Sequence, residues 1–581
     1  MTFPKTVPMS TVSEPSFQTT LWGTGPSRSG AVETALKALA EAPDADRGAV
    51  QTRPAVAAFV LDLAGYTVGR GLHKIRVLEP SFGDGVFLRE IVRRLLEEWQ
   101  TSGRQTDLTT CVRAVEVHRA TFDLTRSRLR ADLAGRGVGP ATAEALLDNW
   151  LRCDDFLLTP FADGFDAVVG NPPYVRHEAI PAALMGRYRR DYRTVVDRAD
   201  LYVPFIERGL SLLKPSGRLS YICADRWMKN RYGRKLRSII AHGFSVRHIV
   251  QMHGMDAFGE QVDAYPSVFT IAREARDSAQ PTAVVSDPPG GVTGLESLAR
   301  QLNAGDEGEA VEHVRSVVSG SEPWILGGGA AIALLRDLEQ RYPTLEQAGG
   351  KAGIGVATGA DRVYIGQGDK LPVEPDRVLP LAMAKDARPD GTLVWSGRAL
   401  VNPFDANGEL VDLAQYPRLR AYFEAHEAAL RKRHVARKTP SRWYRTIDKV
   451  TPGLASAPKL LIPDIKGSAV VAYDKGRLYP HHNLYVVTSS AWELRALQAV
   501  LRSRLAEFQV AAYSVRMRGG YLRFQAQYLR RIRLPEWDSV PDDLRLRLAT
   551  AARADRNACD AVVRELYGLS RREWDVVTES V

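Results

Sequence analysis

The chain has 581 residues, of which 45% are hydrophobic and 25% are charged. It is too long for one ordinary domain, and its composition is typical of folded globular proteins, which excludes a fibrous or disordered chain. No apolar run approaches the roughly 18–20 residues that span a bilayer, and the N-terminus lacks the apolar block of a signal peptide. The four cysteines form no C-x-x-C pair, so we expect neither a metal site nor a disulfide framework, and a reducing cytoplasm is the expected compartment.

The formal net charge is +10, and its position along the chain is informative. From Trp324 onward the chain holds 39 Lys and Arg against 29 Asp and Glu, so the whole excess lies in the C-terminal part. A neutral first part and a basic second part suggest that one carries out chemistry and the other binds a polyanion.

The hydrophobic pattern divides the chain into four segments. Residues 1–50 are predicted to form an arm with one short helix. Residues 51–275 alternate apolar runs with amphipathic stretches, which predicts an α/β fold with a parallel sheet covered by helices on both faces. Residues 276–323 are rich in Gly, Asp, Ser and Pro and are expected to connect two domains, with some helix inside. Residues 324–581 combine short strands, Gly-rich turns and Arg-rich helices, so a mixed α+β domain is predicted there.

A glycine-rich turn follows the first predicted strand, in the stretch VLEPSFGDGVFL. Glu79 ends the strand, and Gly83 and Gly85 allow the backbone to fold tightly under a ligand before a helix begins. A single turn of this kind is weak evidence. The missing third glycine and the acid Asp84 inside the turn argue against a dinucleotide pyrophosphate. A zwitterionic nucleoside fits better, with its ammonium group facing Glu79.

The next two predicted strands end on residues suited to the rest of such a ligand. Glu116 ends the stretch CVRAVE, where a carboxylate can accept both hydroxyls of a ribose. Asp155 and Phe156 follow the next strand, where the carboxylate can accept from an adenine amino group and the ring can cover its face. Because ligands of open α/β sheets bind beyond the carboxyl ends of the strands, the series as a whole predicts one site.

The strand FDAVVG ends on Asn171, Pro172, Pro173 and Tyr174. A planar exocyclic amine is a poor nucleophile because its lone pair is delocalised into the ring. The Asn171 side-chain oxygen and the Pro172 carbonyl can hold its two hydrogens, and the two proline rings fix the backbone that aims them. Tyr174 offers a flat face on which a base can stack. The motif therefore predicts methylation of an amino group through alignment and fixed dipoles, without a metal.

From about Thr52 to about Pro535 the sequence resembles the gamma-class, TaqI-like N6-adenine DNA methyltransferases. The resemblance is carried by EPSFGDGVFL, DFL, NPPY and DLYVPFIERGLSLLKPSGRLSYI, in the order that is typical of this class. It implies a Rossmann-like class I methyltransferase sheet and S-adenosylmethionine as cofactor. The residues it implies for cofactor binding are Thr52, Glu79, Pro80, Gly83, Gly85, Glu116, Asp155, Phe156 and Asn171. It also implies Phe258 as a second aromatic side chain, opposite Tyr174 around the target base.

Two arginine-rich runs interleave with aromatic residues in the second half, as expected of a surface that contacts phosphates and bases. GIGVATGADRVYIG and MRGGYLRF resemble the start and the end of the TaqI-like specificity domain. Duplex DNA is therefore the expected partner, with the target adenine flipped out of the stack. The candidate DNA-binding residues are Arg431, Lys432, Arg433, Arg442, Arg516, Arg518 and Arg523.

Three alternatives stay open at the sequence level. The same turn would hold an amino group of RNA or a protein glutamine. The Asp-x-Lys fragment in PDIKG leaves open a bifunctional enzyme with its own nuclease. The third is a non-catalytic specificity module with a decayed methyltransferase fold. The favoured interpretation is a monomeric modification enzyme of a type II restriction–modification system, associated with the nucleoid and paired with a separately encoded endonuclease. A palindrome containing TCGA is an expectation by analogy.

Overall fold

The computed structural model describes most of the chain. The described residues are 23, 28–41, 50–103, 106–253, 255–258, 266–274, 281–286, 288–306, 308, 310–315, 317–326, 328–466, 469–514 and 522–580. The chain divides into two compact units, residues 1–323 and residues 324–581. Among the described residues, no helix combines the length and the apolar character that crossing a membrane requires.

The first unit alternates strands and helices. Its strands are β1 (Val77–Glu79), β2 (Val112–Glu116), β3 (Leu151–Cys153), β4 (Phe165–Gly170), β5 (Leu213–Ala224), β6 (Ser245–Gln251), β7 (Pro266–Ala272), β8 (Thr282–Val285) and β9 (Glu312–Val314). Its helices are α1 (Gly30–Ala40), α2 (Pro54–Leu63), α3 (Val86–Thr101), α4 (Arg119–Gly135), α5 (Pro140–Trp150), α6 (Ala182–Asp191), α7 (Tyr202–Ser211), α8 (Arg226–Lys229), α9 (Arg234–Gly243) and α10 (Leu295–Ala304).

The nine strands form one sheet in the order β3-β2-β1-β4-β5-β7-β6-β8-β9. The first five strands in this order are parallel, and β7 runs antiparallel between β5 and β6. The chain order reverses between β1 and β4, which is where open α/β sheets bind their ligands. The predicted α/β class is confirmed, and the antiparallel β7 is an addition to the parallel sheet that the sequence predicts.

Helix α3 shows how the sequence produces this packing. Its sequence VFLREIVRRLLEEWQT buries apolar residues at spacings of three and four, so one face of the helix lies against the core. The opposite face carries Arg93 between Glu90 and Glu97, in ion pairs one turn apart. The helix begins after Gly85, whose φ of 85° is a left-handed conformation that favours glycine.

The segment 276–323 does more than connect two domains. Its strand β8 pairs in parallel with β6, and β9 pairs antiparallel with β8, so both extend the sheet. Helix α10 packs on the same unit, with Leu295, Leu298 and Leu302 in the core. The Gly and Pro content that predicts a connection lies in the turns between these short elements.

The second unit is a mixed α+β structure whose described strands form three small sheets. Its strands are β10 (Gly350–Ile354), β11 (Ile365–Gln367), β12 (Val378–Ala382), β13 (Arg398–Val401), β14 (Lys459–Pro463), β15 (Ile465–Lys466), β16 (Ala472–Asp474), β17 (Tyr479–Pro480), β18 (Leu484–Ser489) and β19 (Leu522–Arg523). They pair in the orders β10-β18-β14-β16, β11-β13-β12-β17 and β15-β19.

The helices of the second unit surround these sheets. They are α11 (Gly329–Arg341), α12 (Asp361–Tyr364), α13 (Pro417–Ala425), α14 (Glu427–Arg431), α15 (His434–Lys438), α16 (Leu494–Arg502), α17 (Arg504–Tyr513), α18 (Ala526–Leu529), α19 (Asp542–Ala551), α20 (Arg556–Leu566) and α21 (Arg571–Glu579). The three helices α13 to α15 follow one another closely and carry most of the first arginine-rich run, residues 418–445.

Candidate active site

A cavity lies at the carboxyl ends of β1 to β4, where the order of the sheet reverses. Most of the predicted site residues line it, although they come from widely separated parts of the sequence. These residues are Thr52, Glu79, Pro80, Gly83, Glu116, Asp155, Phe156, Asn171 and Pro173. Parallel strands bring their carboxyl ends to one edge of a sheet, and this geometry collects the acidic strand ends into one wall.

The glycine-rich turn is tied to the neighbouring strand end. The Gly83 amide donates a hydrogen bond of 2.9 Å to Glu116 Oε2, and the Thr125 hydroxyl donates one of 2.9 Å to the Gly83 carbonyl. Glu116 Oε1 accepts from the His118 amide at 2.9 Å. Glu116 therefore fixes the turn as well as lining the cavity. Gly85 is not among the residues that line the cavity, and it instead immediately precedes α3 as its N-cap.

Gly85 offers a test of the turn's packing. A Cβ added there would lie 2.6 Å from Thr125 Cγ2, whereas a Cβ at Gly103, which has the same φ of 85°, would meet nothing within 4 Å. We expect Gly85→Ala to lower the free energy of unfolding by about 1–3 kcal/mol more than Gly103→Ala does, because overpacking adds to the shared backbone strain. Urea unfolding of both variants measures the difference. Equal losses in the two variants would contradict the steric account.

Glu79 is a buried acidic residue whose charged neighbours among the described residues are the acids Asp84 and Glu116. Its side chain is 1% exposed, and its Oε2 atom accepts no hydrogen bond from any described residue. Burial raises the pKa of Glu79 well above its usual range, and the charges of Asp84 and Glu116 raise it further. A Cβ at Gly170, next to Asn171, would lie 3.6 Å from Glu79 Cγ, so Glu79 lies beside the Asn-Pro-Pro-Tyr turn. Such a group is suited to receive a cationic ligand.

Asp155 is held by a tyrosine that sequence reasoning missed. Its Oδ1 atom accepts from the Leu157 amide at 2.9 Å, and its Oδ2 atom accepts from the Tyr188 hydroxyl at 2.6 Å. Burial raises the pKa of Asp155, while these two hydrogen bonds partly offset that rise. Tyr188 also lines the cavity. The sequence signal for it is an aromatic residue next to charged residues in the stretch YRRDY, a pattern too common to assign a role.

Phe156 lies in an aromatic cluster on the same wall. Its ring centroid is 4.9 Å from that of Phe205 and 6.1 Å from that of Phe161. The Arg208 guanidinium lies 5.3 Å from the Phe156 ring centroid. The ring is 2% exposed, so it can offer only one edge or face to a ligand.

Asn171 is anchored by its nitrogen and leaves its oxygen unused. Its Nδ2 atom donates to the Val50 carbonyl at 3.2 Å and to the Thr52 hydroxyl at 3.1 Å. Its Oδ1 atom is buried and accepts no hydrogen bond from any described residue. Because both hydrogens of the amide face residues 50–52, the oxygen is oriented and ready to accept from a ligand. Thr52 thus supports Asn171 directly, a contact that the spacing of 119 residues did not reveal.

The structure brings Tyr174 and Phe258 together, but not as parallel plates. Their ring centroids are 6.3 Å apart and their planes are at 83°, an edge-to-face arrangement. Thr52 and Phe258 form an isolated antiparallel bridge, which fixes the backbone there. The Tyr174 hydroxyl is buried, and burial raises its pKa well above the usual range. A base stacked between the two rings would require at least one of them to rotate.

Two further polar residues lie at the same edge of the sheet and were not predicted. Asp225 directly follows β5 and is 3% exposed, and its Oδ1 atom has no hydrogen-bond partner among the described residues. Its Oδ2 atom lies 3.1 Å from Nε2 of His253, which follows β6. The negative charge of Asp225 contributes to the raised pKa of Tyr174. An acid directly after the strand SYICA was the available signal.

The predicted DNA-binding residues differ in how their side chains are used. Arg433 donates to the carbonyls of Leu430, Thr358 and Trp443 and to the Tyr364 hydroxyl, so its guanidinium is occupied inside the unit. Arg523 pairs with Asp464, and Arg431 pairs with Glu427 and lies over the Trp443 ring. Lys432 and Arg442 are exposed. Arg516 and Arg518 lie outside the described residues.

The Asp-x-Lys fragment in PDIKG begins at Asp464, between β14 and β15, and its next two residues form β15. Its Asp464 carboxylate binds Arg523, and the Asp464 carbonyl accepts from the Phe524 amide at 2.9 Å. Asp464 therefore helps to join β15 to β19 within the second unit, and this contact gives the fragment a structural role.

Known proteins match both units. Residues 141–258 match the Eco57I restriction-modification methylase family, and residues 420–534 match the TaqI-like C-terminal specificity domain. The chain is 51% identical over 536 residues to the type II methyltransferase M.PaeR7I of Pseudomonas aeruginosa, covering 91% of this chain and 92% of that protein. It is 48% identical over 545 residues to M.XhoI of Xanthomonas vasicola, covering 92% and 99%. The solved restriction-modification enzyme MmeI shares the fold, with a TM-score of 0.59 at 9% identity over 90% of this chain and 76% of that one.

The strand order and the acid-lined cavity at the switch point define a class I methyltransferase fold. The identity to curated relatives over nearly their full length then fixes the family. The chain belongs to the type II methyltransferases of restriction–modification systems, with a TaqI-like specificity domain. The resemblance drawn from the sequence is confirmed.

Proposed function

We propose that this protein transfers a methyl group from S-adenosylmethionine to N6 of an adenine flipped out of duplex DNA. The observation that carries the proposal is the Asn171 side chain, whose nitrogen is anchored and whose buried oxygen has no partner among the described residues. An acceptor fixed in this way matches an amino group that must be held by its hydrogens. It stands at the rim of the cavity proposed to hold the cofactor.

The cavity residues fit S-adenosylmethionine, which supplies an electrophilic methyl group when bound. Glu79 would face the ammonium group of the cofactor, because its buried Oε2 atom has no hydrogen-bond partner among the described residues. Glu116 would accept from the ribose hydroxyls, and Asp155 would accept from the adenine amino group with Tyr188 orienting it. Phe156 and Pro80 supply apolar wall. Thr52 would approach the carboxylate of the cofactor while it supports Asn171.

The target amine would be held by two acceptors. Asn171 Oδ1 and the Pro172 carbonyl would each accept a hydrogen bond from one N6 hydrogen. These two bonds would draw the nitrogen lone pair out of the ring and direct it at the methyl carbon. S-adenosylmethionine would supply the methyl group and leave as the thioether, and the N6 proton would pass to water while Asn171 and Pro172 hold the amine. Tyr174 would stack on the base, and Phe258 would cover its other face after rotating from its edge-on position.

The second unit would hold the DNA. The segment from Arg431 to Arg442 carries exposed basic side chains from α14, α15 and the turn that follows, without an acidic residue among them. Basic side chains of this kind bind DNA phosphates whatever the DNA sequence is. Side chains that contact base edges determine which DNA sequence is recognised. The proposal therefore assigns Lys432 and Arg442 to phosphate contact and Arg433 to support of the segment.

Charge removal tests this division of roles. We expect Lys432→Gln and Arg442→Gln each to weaken duplex binding and to reduce the salt dependence of binding by about one counterion. Arg433→Gln should instead lower the melting temperature, because four internal hydrogen bonds involve its guanidinium. Arg572→Gln, at an exposed site on α21, is the control. Fluorescence anisotropy at several salt concentrations measures the slope, and an unchanged slope for both exposed residues would contradict the assignment.

A labelled-methyl assay tests the proposed reaction. The purified protein is incubated with S-adenosylmethionine carrying a labelled methyl group and with duplex DNA, RNA or a glutamine-bearing protein. The DNA is then digested to nucleosides and separated. We expect label in N6-methyl-2′-deoxyadenosine from the DNA and no label in RNA or protein. Label in RNA or protein would support the alternative acceptors, and label in a cytosine product would overturn the adenine assignment.

We further propose that the methylation protects host DNA from a separately encoded restriction endonuclease. The support is the family, whose named members are type II methyltransferases. Incubation with unmethylated DNA and Mg²⁺ tests whether the chain cuts DNA itself. Intact DNA is expected, and site-specific cutting would show a bifunctional enzyme.

A further inference from the structure

Two adjacent histidines and an aspartate, none of which has been given a role above, form a cluster in the second unit. His481 and His482 follow β17, and Asp361 begins α12. One ligand atom from each of the three lies within 4.8 Å of the others. Asp361 and His481 are 120 residues apart in sequence, so a short metal-ligand motif could not have predicted the cluster.

The backbone holds the two histidines firmly. The His481 amide donates to the Ala382 carbonyl at 3.0 Å, and the His482 amide donates to the Val356 carbonyl at 3.1 Å. β12 and β17 pair in parallel immediately before this point. The imidazole rings lie with their centroids 4.1 Å apart. Backbone hydrogen bonds to Ala382 on one side and to Val356 on the other therefore fix the positions of the two histidines.

The cluster contains two buried imidazole nitrogens that have no hydrogen-bond partner among the described residues. The His481 side chain is 2% exposed, and its Nδ1 atom has no hydrogen-bond partner among the described residues. The Nδ1 atom of His482 is likewise buried and without a described partner. Nε2 of His481 lies 3.2 Å from Asp361 Oδ2, and the Thr358 hydroxyl donates to the other Asp361 oxygen. A buried nitrogen without a hydrogen bond destabilises the folded protein, so the unpartnered imidazole nitrogens favour a bound ligand at this cluster.

We propose that Asp361, His481 and His482 bind a divalent transition-metal ion of the zinc type. Imidazole nitrogens and a carboxylate oxygen suit Zn²⁺, with bonds of about 2.0–2.2 Å. Tetrahedral ligands at that distance lie about 3.3 Å apart, so small side-chain rotations close the set from its present spacing. Three protein ligands leave a fourth position for water. Asp361 is half exposed and gives the ion a path from solvent.

The ion would fasten the loop at Thr358 to the strand pair that carries the histidines. This loop also contacts the segment from Arg431 to Arg442, since Arg433 donates to the Thr358 carbonyl at 2.9 Å. A metal bound to Asp361 would therefore restrict the motion of the loop at Thr358, and this loop in turn holds Arg433 in place. The metal site itself does not depend on the proposed methyl transfer, so it can be tested without DNA or cofactor.

The test uses the full chain without a histidine tag. The protein is stripped with a chelator, desalted and titrated with Zn²⁺ against a chromophoric competitor, and a parallel titration with Co²⁺ records the visible spectrum. We expect one equivalent per chain, nitrogen and oxygen ligation without a sulfur charge-transfer band, and a higher melting temperature with metal. His482→Asn and Asp361→Asn should each weaken binding at least tenfold and abolish the shift in melting temperature.

His242→Asn, an exposed histidine of the first unit, is the matched control and should bind metal as the unchanged protein does. Circular dichroism and a melting transition show whether each metal-free variant is folded, and Asp361→Asn, at a half-exposed position, keeps the test usable if His482→Asn does not fold. Failure of the unchanged protein to bind Zn²⁺ or Co²⁺ would overturn the proposal. So would equal binding by the protein and the two ligand variants, or a cobalt spectrum showing thiolate ligation.

Discussion

Asn171→Ala is expected to lower the rate of methyl transfer by about 10²–10³-fold, the usual cost of removing one fixed polar group that acts on the reacting atoms. The truncation removes Oδ1, the acceptor proposed for one hydrogen of the target amine. Cofactor affinity should change much less than the rate, because Asn171 is one of many residues that line the cavity, whereas its Oδ1 atom is the acceptor proposed for the target amine. Single-turnover rates with duplex DNA, together with calorimetry of cofactor binding, separate the two effects.

Asn149→Ala is the matched control for this experiment. Asn149 lies on α5, and its Nδ2 atom donates to the Ala145 carbonyl one turn earlier, outside the cavity wall. We expect its rate to equal that of the unchanged protein. If Asn171→Ala kept more than about a tenth of the activity, its side-chain oxygen would not be the acceptor described here.

Glu79→Gln is expected to act in opposite directions on binding and on stability. Affinity for S-adenosylmethionine should fall by about 10–100-fold, because a charge-assisted hydrogen bond to the ammonium group is lost. The cofactor-free protein should become more stable at pH 8, since a buried carboxylate without a partner is replaced by a neutral amide. Calorimetry and thermal unfolding measure the two quantities, with Glu296→Gln, at an exposed site on α10, as the control.

The raised pKa of Glu79 also fixes the sign of two pH effects. Above about pH 4.3 the unfolded chain releases this proton while the folded protein retains it, so stability of the cofactor-free protein falls as the pH rises toward the folded-state pKa. Cofactor affinity should rise over the same range, because the ammonium group prefers the ionised carboxylate. Both slopes should flatten in Glu79→Gln. Slopes that persist unchanged in the variant would assign them to other groups.

Much of the first unit could be predicted from the sequence, because its strands are apolar runs that end on distinctive residues. Glu79, Glu116, Asp155 and Asn171 each follow or end such a run, and the parallel sheet collects them at one edge. The rule that ligands bind at the carboxyl ends of parallel strands was therefore sufficient to find the cavity wall.

Contacts that depend on tertiary packing could not be predicted in this way. The Tyr188 hydroxyl meets Asp155 across 33 residues, and Asn171 meets Thr52 across 119. The sequence predicted that Phe258 lies near Tyr174, but it gave no sign of the edge-to-face angle between the rings or of the backbone bridge from Phe258 to Thr52. Arg433 has the composition of a phosphate ligand, yet backbone carbonyls from three parts of the unit surround it. Charge alone does not distinguish these two uses of an arginine.

The most direct test of the central claim is single-molecule sequencing of genomic DNA from a methylation-free bacterium that expresses this protein, beside a strain that expresses Asn171→Ala. We predict N6-methyladenine at one short motif throughout the genome in the first strain and its absence in the second. A genome without any methylated motif, from cells in which the folded protein binds S-adenosylmethionine, would contradict the assignment of DNA adenine as the methyl acceptor.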